Sequence, residues 1–155
     1  MARQPETVRS IAQNRKARHE FEILEELECG MVLKGSEVKS LRGGRASIQE
    51  AYGMVKGGEL FLLGMHIPEY PQAGPMNHPP VRERKLLAGR RDLDRWSKAA
   101  REKGVTIVPL EVAFRGHLVK VAMALVRGKK MHDKRETEKR RDAERDMRQA
   151  LGRRR

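Results

Sequence analysis

The stretch from Phe21 to Leu33 restricts the folds open to this chain more than any other. Its odd positions are Phe21, Ile23, Glu25, Leu27, Cys29, Met31 and Leu33, apolar except for Glu25, while Glu20, Glu22, Glu26 and Glu28 stand among the even ones. Side chains of an extended backbone alternate between two faces, so a period of two describes one long, half-buried strand. Cys29 lies on the apolar side and reads as a core thiol. As the only cysteine it forms no intramolecular disulfide and no cysteine-based zinc site.

Two hairpin signals follow. The apolar-rich runs 46–55 and 59–66 flank Lys56-Gly57-Gly58, and the runs 105–114 and 118–126 meet across Arg115-Gly116-His117. Short helices fit between the strands. Ser36 is placed to cap one that carries Val38, Lys39, Leu41 and Arg42 and ends at Gly43-Gly44. Leu93, Trp96, Ala99 and Ala100 mark one face of another, which stops at Lys103-Gly104 with Trp96 as its core anchor. Pro68, Pro71, Pro75, Pro79 and Pro80 crowd the segment between, which reads as an outlying loop, functional or mobile. With no repeat and no regular strand–helix alternation, the expected fold is mainly β, a small antiparallel barrel or sandwich; a barrel is favoured because it hides its strand edges.

The last fifth of the chain cannot join that core. From residue 127 to 155 there are thirteen Lys or Arg against six Asp or Glu, so this segment carries over half of the net charge of +13. It contains no Gly or Pro between Lys129 and Leu151, and Glu136/Arg140 and Glu144/Arg148 stand at the helix-supporting i, i+4 spacing. Its apolar stripe, Ala143, Met147, Ala150 and Leu151, is too thin to dock along the barrel. The expectation is a tail disordered when free that becomes helical on a partner. The domain reading is therefore a flexible arm at 1–13, a barrel at 14–127 and a basic tail at 128–155.

Such a charge balance points to a polyanion, and to nucleic acid first. No apolar run approaches membrane-spanning length and the start lacks the apolar stretch of a secretory signal, so a cytoplasmic protein without a membrane partner is expected. Phosphate-cradling glycine motifs, the nucleophile elbow and the His-Glu-x-x-His signature are absent, and the five histidines lack metal-ligand spacing. No catalytic residue, metal or cofactor is expected, and the strand glutamates read as a solvated face. Basic residues recur at 15–18, 39–45 and 82–85 as well as in the tail, which nominates Arg18, Lys39, Arg84 and Lys85 as RNA contacts. Aromatic residues are too few for a stacking platform, so the backbone and shape of a folded RNA fit better than unpaired bases.

Four motifs, read jointly, carry a resemblance. Asn14-Arg15-Lys16-Ala17-Arg18-His19-Glu20, Gly35-Ser36-Glu37-Val38-Lys39-Ser40-Leu41-Arg42, Arg84-Lys85-Leu86-Leu87, and Gly128-Lys129-Lys130 with Asp133-Lys134-Arg135 resemble the small protein B (SsrA-binding protein) family over about residues 14 to 136. The resemblance implies an oligonucleotide-binding-type (OB-type) barrel in a bacterial cytoplasmic adaptor of trans-translation. Such an adaptor binds the tRNA-like domain of transfer-messenger RNA (tmRNA), stands in for its missing anticodon arm, and carries it to stalled ribosomes.

Carried over by motif, Asn14, Arg15, Lys16, Glu28, Leu87 and Lys120 belong to the RNA surface. Lys129, Lys130, His132, Asp133, Lys134 and Arg135 belong to a tail that faces the decoding region and messenger channel, against small-subunit ribosomal RNA. Glu28 changes role under the resemblance, from solvated to RNA-contacting. Elongation factor Tu is implied only indirectly, through the RNA, and the protein is expected to act as a monomer. The chain departs from the family pattern at Leu87-Ala88-Gly89, Pro68-Glu69-Tyr70 and Gln49-Glu50-Ala51-Tyr52, which touches local contacts. A ribosomal or ribosome-assembly protein that binds ribosomal RNA is the alternative; a nuclease lacks a convincing carboxylate constellation.

Overall fold

The computed structural model describes residues 7–128 and 140–149. Phe21–Met31 forms a single strand, β2. The even positions from Glu22 to Glu28 are exposed, and the odd ones are partly or fully buried. Glu25 breaks the apolar pattern for a physical reason. Its carboxylate accepts the indole N–H of Trp96 at 3.0 Å and a guanidinium N–H of Arg95 at 3.1 Å. Trp96 is fully buried, as expected of a core anchor, so its N–H needs an acceptor supplied from within the packed wall. Cys29 is also buried, and burial pushes its thiol up to about 12; it is an inert core group.

In chain order the other strands and α-helices are β1 (Val8–Gln13), α1 (Arg15–Glu20), α2 (Gly35–Arg42), β3 (Tyr52–Lys56), β4 (Glu59–Leu63), β5 (Arg84–Leu87), α3 (Arg90–Ala99), β6 (Val105–Arg115) and β7 (Leu118–Gly128), with a separate helix over 140–149 and a 3-10 helix at Pro71–Met76 in the proline-rich segment. All strand pairings are antiparallel and run in a ring, β2 to β7, β6, β3, β4, β5 and back to β2. The expected barrel is therefore closed. Its narrowest seam is β3 against β6, a single register pair between Gly53 and Ile107. A Cβ on residue 53 would lie 2.6 Å from the Ile107 side chain, so glycine is what permits the approach. The β3–β4 turn uses Gly57 and Gly58 at φ of 58° and 78°, left-handed at both positions as a tight hairpin demands.

Two β-bulges shape the closed ring of strands, in addition to a register shift within β1 between Ser10 and Ala12. One interrupts β2 between Ile23 and Glu25 and the other interrupts β6 between Pro109 and Glu111. Inside the barrel, Ile107, Val112, Val121, Met123 and Leu125 pack with Leu41, Leu60, Leu62, Leu86 and Trp96. Outside it, Val108, Leu110, Ala124 and Val126 form a second apolar cluster roofed by Ala17 of α1. Both faces of β6 and β7 are thus buried at this end, which explains their near-continuous apolar sequence.

The structure corrects several expectations. From Val8 onward the arm assigned to 1–13 is a strand, β1, paired with Glu111–Arg115 of β6. The first hairpin is shorter than its apolar runs: 46–51 is not strand, and Ser47 contributes only an isolated bridge to His66. Ser36 lies inside α2 rather than capping it, since the N-cap is Lys34. The Ser36 hydroxyl donates instead to His78 Nδ1 at 2.8 Å, and His78 Nε2–H donates to the Ile67 carbonyl at 2.9 Å. His78 is buried, so the proline-rich segment is pinned to the barrel at its far end.

Candidate nucleic-acid interface

Where α1 stops covering the outer wall, the sheet formed by β5, β2, β7 and β6 lies open. Register aligns Leu87, Gly30, Lys120 and Ala113 across one rung and Glu28, Ala122 and Glu111 across the next. Small residues at 30, 113 and 122 keep this floor low, while Glu28, Leu87, Lys120 and Arg115 rise around it. Leu87 is 53% exposed, and the Lys120 ammonium lies 3.8 Å from where a Cβ on Gly30 would be. The Arg115 guanidinium pairs with Glu28 at 3.1 Å. At the α1 border Arg18 pairs with Glu26 at 3.4 Å, so the helix with exposed Arg15, Lys16 and Arg18 forms a basic rim continuous with the floor.

This arrangement combines chemistry suited to a folded RNA. Lys120 and the rim offer cations that suit phosphates, and Leu87 offers an exposed apolar side chain. Glu28, as a carboxylate, can only accept, which suits a base amino group or a ribose 2′-hydroxyl. The neighbouring arginine offsets the repulsion a lone carboxylate would exert on an approaching phosphate.

The structure thus brings together Glu28, Leu87 and Lys120, with Arg15, Lys16 and Arg18 at the border. Lys85 lies on the outer side of β5, partly exposed and paired with Glu59 at 3.0 Å. Lys39 is exposed on α2, over the Tyr70 ring, outside the floor.

Two expected contacts are corrected by burial. Arg84 is 0% exposed; its Nε binds Glu37 at 2.5 Å, its Nη1 the Met65 carbonyl at 2.7 Å and its Nη2 the Pro80 carbonyl at 3.2 Å. Asn14 is buried too, accepting from the Ala17 N–H at 3.2 Å as the N-cap of α1 and donating to the Pro109 carbonyl at 3.2 Å. Asn14 aims the rim helix and Arg84 fastens the barrel; the polar groups of both side chains are engaged within the protein. Sequence reasoning missed Arg115, which stood inside a turn signal, and the small residues of the floor, which carry no chemistry of their own. The tail residues Lys129, Lys130, His132, Asp133, Lys134 and Arg135 lie outside the described residues. The 140–149 helix is exposed at every position, with Arg145 paired to Asp142 at 2.6 Å.

A profile of the SmpB protein family matches residues 11–153. A protein named SsrA-binding protein from Salinispora arenicola is 51% identical over 144 residues, 93% of this chain and 91% of the relative. Another of that name from Bartonella tribocorum is 53% identical over 145 residues, 92% and 91% of the two chains. Among solved structures, a chain described under "tmRNA-SmpB: a journey to the center of the bacterial ribosome" superposes with a TM-score of 0.65 at 38% identity, covering 86% of this chain and 94% of that one. That likeness agrees with the OB-type barrel implied by the motifs. Matched by profile, by relatives and by fold over most of its length, the chain belongs to the SmpB family.

Proposed function

We propose that this protein is a non-enzymatic adaptor that binds tmRNA (the SsrA RNA) in trans-translation. The observation that carries the reading is the convergence of Glu28, Leu87 and Lys120 on one open sheet floor, in a chain half identical to proteins named for SsrA binding. On this reading the floor and the α1 rim hold the tRNA-like domain by its backbone and shape, with the barrel standing in for the missing anticodon arm. The tail beyond Gly128 enters the decoding region and messenger channel of a stalled ribosome, beside small-subunit RNA. Elongation factor Tu joins only through the RNA, and the protein works as a cytoplasmic monomer.

Among the described residues no helix is long and apolar enough to cross a membrane. A gel-shift titration tests the reading: the isolated tRNA-like domain should bind far more tightly than an unrelated hairpin of equal length at the same salt concentration. Equal affinity for the two would refute it.

A further inference from the structure

We infer that Glu111 is a further specificity-determining residue of the floor, whose carboxylate accepts the N1–H and N2–H groups of one unpaired guanine seated beside Lys120. This deepens the proposed function and rests on the reading that the floor holds the tRNA-like domain.

Among the described residues, the acidic side chains that are partly or fully buried belong to Glu20, Glu25, Glu37, Glu59, Asp92 and Glu111. The first five each pair with a cation, from Lys16, Arg82, Arg84, Lys85 or Arg95. Glu111 makes neither an ion pair nor a side-chain hydrogen bond among the described residues. A ligand that covers such a carboxylate displaces its hydration. It must bring donors in exchange, or leave a charge desolvated.

Glu111 lines a hollow of about 260 Å³ together with Glu28, Ala113, Arg115, Lys120 and Ala122. Register sets Glu28 and Glu111 on either side of Ala122, two strand spacings or about 10 Å apart, and the short alanine leaves the gap open. Glu28 is drawn to Arg115 at 3.1 Å. Lys120 lies one rung along from Ala122, opposite Ala113, so it is the diagonal neighbour of Glu111, roughly 7–8 Å away. The two form no ion pair with each other, and an acceptor and a donor thus stand side by side with space between them. A phosphate is repelled by Glu111, and a paired base turns its Watson–Crick edge inward. An unpaired base presents that edge, and only guanine offers there two adjacent donors, N1–H and N2–H, to match the two oxygens of one carboxylate. Its O6 lies next to N1 and suits the Lys120 ammonium. Adenine and cytosine offer one amino group on this edge, and uracil one imino group. The floor then reads a single base by its edge, which needs no aromatic platform.

The test titrates the full chain, as wild type and as Glu111→Gln, against the tRNA-like domain and an unrelated hairpin at one salt concentration. Glu111→Gln keeps the size of the side chain and breaks no contact, so its melting temperature should match wild type. Its affinity for the tRNA-like domain should fall about 10-fold, with the hairpin unchanged or bound slightly more tightly. The RNA supplies a second arm that needs no variant protein: transcripts of the tRNA-like domain with inosine, which lacks the 2-amino group, at one guanosine each. One such transcript should bind wild type about as weakly as the unsubstituted domain binds Glu111→Gln, and should bind that variant no more weakly still. A wild type that binds both RNAs equally would refute the proposed function and this inference with it. A wild-type preference that survives Glu111→Gln, tighter binding of both RNAs by the variant, or inosine losses that are absent or fully additive with the substitution would overturn the inference alone.

Discussion

Replacement of Arg84 by methionine is expected to cost about 3–5 kcal/mol of stability, the range for leaving one member of a buried ion pair without its partner. Glu37 is fully buried, and its carboxylate receives Arg84 Nε at 2.5 Å, Arg82 Nε at 3.0 Å and the Lys34 backbone N–H at 2.8 Å. This cluster joins the start of α2 to β5. Through the Met65 and Pro80 carbonyls it also reaches both ends of the proline-rich segment. Without Arg84 the carboxylate keeps only part of its compensation, and the buried Met65 carbonyl loses a donor.

A double variant, Glu37→Leu with Arg84→Met, removes both charges and should lose much less than the sum of the single changes. Urea unfolding of the four proteins measures this directly, and additivity would contradict the coupling. Acid provides an independent readout. Burial works to raise the Glu37 carboxyl, but the hydrogen bonds from Arg82, the Lys34 backbone and Arg84 outweigh it and hold the group below its ordinary value. Its contribution is therefore complete above about pH 4.3 and is lost as the pH falls through the lower folded value. The double variant should lack that acid-sensitive component.

Truncation after Gly128 should produce the largest functional change, abolishing tagging of nascent chains on stalled ribosomes while leaving binding to the tRNA-like domain within about two-fold. The cut belongs there because β7 continues to Gly128, where Arg127 and Gly128 pair with Glu22 and Phe21 of β2. An earlier cut would fray the strand that carries Lys120. Removing the basic residues of the tail would weaken any non-specific component as well, so binding is compared at physiological salt with specific RNA. A reconstituted tagging assay beside a filter-binding titration separates the two activities. Retained tagging, or lost binding to the isolated domain, would contradict the division between barrel and tail.

The barrel was legible wherever local pattern and tertiary demand coincide. The period of two in β2 survived because one of its faces is wet, and Glu25, its one irregularity, proved to be the acceptor that the buried Trp96 needs. The pattern failed where burial comes from another element. Residues 8–13 have no strong alternation and become a strand because β6 has an unpaired edge beyond its bulge. Ser36 has the chemistry of a cap, but His78, distant in sequence, claims its hydroxyl. Arg84 shows the limit most clearly. In sequence it is one cation in a basic run with Arg82 and Lys85, and only the fold reveals that alternation on β5 turns it inward while Lys85 faces out. The floor was half legible: the resemblance implied Glu28, Leu87 and Lys120, which the fold sets on one sheet face, but Arg115 and the small residues join them only through cross-strand register.

The central claim is that the floor reads tmRNA, and the ratio of affinities for the tRNA-like domain and for an unrelated hairpin tests it most directly. Measured at one salt concentration for wild type, Glu28→Ala and Lys120→Ala, the wild-type ratio should be large. Each substitution should reduce it by about 10-fold, through weaker binding of the tRNA-like domain, with the hairpin little changed. A wild-type ratio near one, or substitutions that weaken both RNAs equally, would contradict the account.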